Sequence, residues 1–454
     1  MKRALVFSLL IALGSHASVA GANGRFPKAQ ALVTRPGSDG RELYMRATFG
    51  VMRSTDGGAS WRWMCEPSLG YDGTWDPAIA VTRDGVLWVG LPDGLAYTRD
   101  GCDVTRVPEL AGETVKDLTT DPAGQRVWAI TSAEGRRSFV WSGTPVKGDA
   151  GGAPLRWERQ GAGLEDMHLM TVEVAPSRPA RVYVTGQPFG TVRGRLLASD
   201  DGGRTWTGGV NTLADDGPLF IAAIDPKRPD RVFVRHLHLA GSDLLVTPDR
   251  GKTLSHVLRI KSSMLGFAKS ADGATYWAGS GLPEDGVYRS DDRGEHFAPV
   301  GHTGVLCLHA DGPRLFNCAN PFTLGGYALG LSEDRGVTFK PVSGFADIAG
   351  PVACAGPDGG TCARTWPETR AFIVPDAGAP SASTPSASSS ATPSDAGPPA
   401  PSAPSSRCGC WVVGGPNRGV DLGVLIGGLS LAALRARRRT RGRRDPAASA
   451  RRCE

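Results

Sequence analysis

The chain has 454 residues, 21% of them charged and 7% aromatic, with 61 glycines and 34 prolines. Its net charge is +6, but Lys2 and Arg3 contribute +2 and residues 435–454 contribute +7, which leaves −3 over residues 21–410. A slightly acidic working region excludes nucleic-acid binding by net attraction.

The chain opens with Lys2 and Arg3, an apolar run over 4–13, and Ser18-Val19-Ala20. A positive start, a short apolar segment and a small-residue cleavage site read as a signal peptide over 1–20. Export is the expectation.

From residue 27 one pattern recurs: Ser/Thr-x-Asp-x-Gly-x-Thr/Ser-aromatic. It is complete as Ser54-Thr55-Asp56-Gly57-Gly58-Ala59-Ser60-Trp61 and as Ser199-Asp200-Asp201-Gly202-Gly203-Arg204-Thr205-Trp206. Weaker copies surround Asp249, Asp292 and Asp334, and a truncated copy surrounds Asp100. The aspartates are spaced by 44, 101, 48, 43 and 42 residues, so the long gap holds one decayed copy near Trp141 and Trp157, split by the Gly-rich insertion 148–153. Seven units over 27–345 average about 46 residues, the period of a four-stranded propeller blade. Between the motifs, β-branched runs bounded by Gly and Pro predict strands, as in 171–176, 181–184 and 195–198.

This repeat resembles the Asp-box (BNR) repeat of sialidases, sortilin-type receptors and xyloglucanase-type hydrolases. The resemblance implies an all-β, seven-bladed propeller of four-stranded blades. Each box then sits between the third and outer strands as a folding device. Its carboxylate accepts from backbone N–H groups, its glycines supply positive φ, and its aromatic packs between blades. The three-arginine, tyrosine and glutamate set of sialidases has no counterpart here.

Residues 346–374 are left to close the ring, adding a strand against the first blade. Nine cysteines in an exported chain favour disulfides over metal sites. Cys354 is expected to pair with Cys362, and Cys307 with Cys318 across adjacent strands. Cys65 and Cys102 end neighbouring blades, which leaves a bridge between those blades open.

Residues 375–407 consist almost wholly of Pro, Ser, Ala, Thr, Gly and Asp and predict a solvated, semi-extended linker. Cys408 and Cys410, an apolar stretch over 422–434 and an arginine cluster follow. In that order they resemble the MYXO-CTERM sorting signal of myxobacterial surface proteins. The resemblance implies a transient transmembrane helix, a sorting protease acting near Cys408 or Cys410, and attachment to the cell surface. The positive-inside rule gives the same orientation.

The face opposite the boxes is where the ligand is expected, on the connections 66–76, 158–168, 186–193, 208–218, 236–243, 279–286 and 319–326. Tyr71, Trp75, Phe189, Arg193 and Phe322 are the binding candidates, suited to a glycan or protein ligand. A glycoside hydrolase needs two carboxylates across a cleft. Asp72, Asp76, Asp166, Asp216, Glu284 and Asp285 could supply them, but no pair stands out. His236 and His238 alternate on a strand and so share a face. No third ligand is evident, and they read as ordinary strand histidines. The expectation is a monomeric, non-catalytic binding module without metal or cofactor. The alternatives are a carbohydrate-active hydrolase on the same scaffold and a structural envelope protein.

Overall fold

In the computed structural model, residues 25–374 are described except 134, 136, 147–153, 210–212, 214–215, 324–325 and 356–359. The expected signal peptide, linker and sorting segment, with Cys408 and Cys410, lie outside the described residues, as does the insertion of the decayed repeat. Seven antiparallel four-stranded sheets follow one another in sequence, spanning 29–64, 79–106, 115–164, 167–208, 219–260, 264–301 and 307–343. The fold is a seven-bladed, all-β propeller. Each blade runs outward from an inner strand: Ala29–Thr34, Ile79–Val81, Val115–Thr120, Met167–Val174, Leu219–Ile224, Met264–Lys269 and Cys307–Asp311.

The core lies between blades. Tyr183 and Leu196 of blade four pack with Leu219, Val234 and Leu245 of blade five. The Phe233 and Tyr276 rings of blades five and six stand 4.6 Å apart. Phe316 and Leu329 of blade seven meet Leu43 and Trp61 of blade one, which closes the ring. Buried side chains also stitch one blade to the next inner strand. Asp117 Oδ2 accepts from the Val172 N–H at 2.9 Å, Thr171 Oγ1 from Ile221 at 3.0 Å and Ser242 Oγ from Met264 at 2.9 Å. These bonds satisfy inner-strand amides that no ladder reaches.

The repeated acidic turns join third to outer strands. In the copy at Asp201, Oδ1 accepts from the backbone N–H groups of Arg204 and Thr205 at 3.0 and 2.9 Å, and the Thr205 hydroxyl donates to Oδ2 at 2.7 Å. Gly202 and Gly203 hold φ of 76° and 93°. Where the first glycine is replaced, Arg250, Arg293 and Arg335 occupy the same left-handed region at 61–68°. That strain is held by the turn itself, where the N–H groups of Thr253, His296 and Thr338 donate to Asp249, Asp292 and Asp334.

The C-terminal segment departs from expectation. Strand Ile348–Pro351 does pair with blade one, but in parallel on its outer strand Trp61–Met64. The ring closes without it, and the strand caps the rim. Helix Thr361–Ile373 follows, and its Trp366 ring lies 5.4 Å from that of Trp63.

Disulfides fix this segment to blades one and two. Cys65 bonds Cys362 and Cys102 bonds Cys354, with Cα separations of 5.3 and 5.5 Å. Neither the expected Cys354–Cys362 pair nor a Cys65–Cys102 bridge forms. The rim strand carries Cys354 to the turn of blade two, while the helix start carries Cys362 to the end of blade one. The cross-strand bridge Cys307–Cys318 is present as expected, between directly paired residues. Three disulfides mark a protein that matures in an oxidising, extracellular environment. Among the described residues no helix is long and apolar enough to cross a membrane.

Candidate functional site

Antiparallel strand order sends the acidic turns to one end of every blade. The connections from second to third strand, and from each outer strand to the next inner strand, go to the other end. The two ends differ in chemistry. On the turn face the acidic groups are engaged. Arg181 is buried between Asp200 and Asp230, and Arg231 donates to Glu295 at 2.7 Å. A groove of about 630 Å3 opens there beside Lys227, Arg228 and Pro248. Two of its cations, Arg228 and Arg231, already serve Asp225 and Glu295, so its charged wall is largely spent on structure.

On the open face, large apolar side chains reach solvent. Leu239 is fully exposed, Phe26 is 52% exposed, Leu282 40% and Phe322 39%. They sit at the hairpin of blade five, the entry to blade one, and the second-to-third-strand connections of blades six and seven. These four are a majority of the seven large hydrophobics exposed among the described residues.

The five sequence candidates separate. Tyr71 is buried among Leu69, Ile79 and Leu91, and burial raises its hydroxyl pKa well above 10. It is a core residue, a correction to its expected ligand role. Trp75 is half-buried. Its Nε1 donates to the Gly90 carbonyl at 2.8 Å, and Lys116 Nζ stands 5.3 Å from its ring centroid. Phe189 meets His168 edge-on at 6.1 Å, while Arg193 is exposed and paired with Asp216 at 2.8 Å. Phe322 packs against Phe26 with ring centroids 4.6 Å apart. These residues occupy three separate connections, so the structure does not gather them into one pocket.

Several expected loops are strand. Strand Leu155–Leu164 fills most of 158–168, and 236–243 is a tight hairpin between Val232–His238 and Gly241–Thr247. The loop carboxylates are mostly committed. Asp76 pairs with Arg25 at 2.8 Å, Asp72 accepts from Thr74 at 2.9 Å, and Asp285 accepts from the Ser262 amide at 3.1 Å.

The hairpin of blade five carries what the sequence reading missed. His236 and His238 share a face as expected, with ring centroids 5.4 Å apart. His236 pairs directly with Asp243 on the opposing strand, which brings a carboxylate to the same face. One donor atom from each of His236, His238 and Asp243 lies within 4.8 Å of the others. From the outer strand, Arg259 grips Asp243 with two bonds of 2.6 and 2.8 Å. His256 Nδ1 is 3.3 Å from Asp243 Oδ2. Burial pushes the Asp243 pKa up, but Arg259 and the two nearby imidazoles outweigh it and the pKa is lowered. A register argument would have found Asp243, because a two-residue turn after His238 sets it opposite His236.

Arg46 invites a functional reading because it is fully buried in the second strand of blade one, where it donates to the Pro77 carbonyl at 2.9 Å. Arg235 does the same in blade five, donating to Met264 at 2.8 Å. A device used twice to tie a blade to the next inner strand is structural.

No family model matches the chain, and no curated protein does. Among solved structures, an ancestral GH74 enzyme is 15% identical over 70% of this chain and 45% of its own, with a TM-score of 0.46. Hydrazine synthase of Kuenenia stuttgartiensis is 12% identical over 68% of this chain and 95% of its own, also at 0.46. YCF48 from Cyanidioschyzon merolae is 15% identical over 68% and 94%, at 0.42. The chain thus spans less than half of the ancestral GH74 enzyme. Likenesses at this level carry no functional argument.

Proposed function

We propose that this is an exported, surface-displayed propeller that binds a glycan or protein ligand through its open face and catalyses no reaction. The observation that carries the reading is the asymmetry between the faces. Polar groups on the turn face are consumed by the fold, whereas Phe26, Leu239, Leu282 and Phe322 are left in solvent on the other. Four of the seven exposed large hydrophobics among the described residues lie on the open face, against Val146 and Val337 on the turn face, and that excess favours a contact surface. The loop carboxylates favour binding over hydrolysis, since Asp72, Asp76, Asp216 and Asp285 each serve a local turn or ion pair. The likeness of the acidic turns to Asp-box repeats supports the same assignment. The likeness of residues 408–454 to a MYXO-CTERM signal supports anchoring, with 375–407 as the stalk.

The test screens the exported protein against a glycan array and against extracellular proteins of its own culture. Release of reducing sugar is followed in parallel. Saturable binding without turnover is expected. Phe322→Ser should weaken it at least about tenfold while stability falls by no more than about 1–2 kcal/mol, from loss of the ring pair with Phe26. Sugar release, or binding indifferent to Phe322→Ser, would overturn the reading. A chain ending before Cys408 should appear in the medium, and its retention on cells would sink the anchoring claim.

A further inference from the structure

We propose that His236, His238 and Asp243 form a binding site for a divalent transition-metal ion of the zinc class, with His256 available as a fourth donor. The site is independent of the ligand-binding reading and stands on the geometry of one blade. Three of the chain's eight histidines lie within this blade, on strands that bring them to one carboxylate.

Two imidazoles and a carboxylate are the donor set of many three-residue zinc sites. Zinc–nitrogen and zinc–oxygen bonds of about 2.0 Å at tetrahedral angles place neighbouring donor atoms about 3.3 Å apart. Asp243 Oδ2 lies 3.3 Å from His238 Nε2 and 3.3 Å from His256 Nδ1. Both separations match an edge of that tetrahedron as well as a long ion pair. His238 Nε2 is buried and faces the Asp243 carboxylate at ion-pair distance, so two donor atoms of a metal edge are already turned toward each other.

The surroundings fit a site held rigidly. Gly217 lies against His236, and a Cβ there would fall 2.8 Å from His236 Nε2 and 1.9 Å from the Leu237 carbonyl oxygen. Arg259 orients Asp243 through both of its oxygens, the outer support that metal-binding carboxylates ordinarily have. Entry is from the outer strand, where the His256 side chain is 53% exposed. Nitrogen donors in the majority select zinc, copper or nickel over calcium and magnesium.

Loading has one structural requirement. His238 Nδ1 accepts from the Ala240 N–H at 3.2 Å, which puts the neutral ring's proton on Nε2. Ligation through Nε2 moves that proton to Nδ1, so the Ala240 amide must turn away. Leu239 and Ala240 form an exposed hairpin turn with freedom to do so.

The experiment titrates the chelator-treated exported protein, without a polyhistidine tag, with Zn2+ by calorimetry. Co2+ is used in parallel for its visible absorption. One equivalent should bind, with tetrahedral Co2+ bands and a rise in melting temperature that EDTA reverses, and Ca2+ should give none of these. Loss of a supporting residue weakens metal sites about 10–100-fold, so His238→Gln should cost at least about a hundredfold. His256→Ala, at an exposed position, should fold normally and weaken binding about tenfold. Absence of stoichiometric binding to the wild type would overturn the proposal, and so would equal affinity in wild type and His238→Gln. In either case the cluster would be an ion-pair network that neutralises Asp243.

Discussion

The two faces of the ring are built by the same strands but under different constraints. On the turn face, six repeated aspartates, 56, 100, 201, 249, 292 and 334, spend their oxygens on their own turns, and Ser54, Ser199, Thr247, Ser290 and Ser332 hydroxyls point back at them. On the open face nothing repeats: a histidine hairpin tipped by Leu239 in blade five, Leu282 in blade six, a Phe pair at the seam. Repetition in six of the seven blades marks a device that serves folding. Features confined to one blade are free to carry function. Substitutions on the turn side should therefore cost stability and leave binding alone, while those on the open side should do the reverse.

The largest test of that contrast is Trp61→Ala. Trp61 is fully buried at the seam of blades one and seven, and its Nε1 donates to the Gly58 carbonyl at 2.9 Å. Its removal should cost about 3–5 kcal/mol in urea unfolding, as large-to-small core changes do. Next comes the tether. Replacing Cys102 and Cys354 together by serine removes a crosslink between residues 252 apart and should cost about 2–4 kcal/mol. Ligand binding by the surviving folded protein should be unchanged in both variants. Weakened binding in either would mean that the faces are not separable.

The propeller was legible because its signal is periodic. Aspartates at regular spacing and runs such as 231–234 and 314–318 identify strands without tertiary information. The disulfides were half legible. Cys307–Cys318 follows from strand pairing, but Cys65–Cys362 and Cys102–Cys354 join residues 297 and 252 apart, and only the path of the rim strand and helix determines them. Tyr71 shows why site residues resist sequence reading. Its connection looked like loop, yet it turns inward after the short helix Glu66–Leu69 and buries the ring under blade two. Loop position says nothing of direction, whereas hairpin register does, and it was register that could have linked His236 to Asp243.

The smallest effect separates the two regions by pH. Burial lowers His168, near the open face, and His309, on the inner strand of blade seven, from 6.5 to about 4. Both are neutral in the folded state, so their contribution to stability is complete above pH 6.5 and is lost as pH falls from there through 4. The acidic turns act lower. Hydrogen bonds from Ser60 hold Asp56, and those from Thr338 hold Asp334, at about 2, down from 3.8. Their contribution is complete above 3.8 and is lost as pH falls through 2. Asp56 is exposed, so solvent screening reduces what its shift contributes and the lower window should be the shallower one. Melting temperature followed from pH 7 to pH 2 should fall in two stages. His309→Gln should make the first shallower, leaving the share of His168, and leave the second unchanged. A single stage below pH 4 would mean that the histidines take up protons without cost to the fold, and the pH contrast between the two regions would fail.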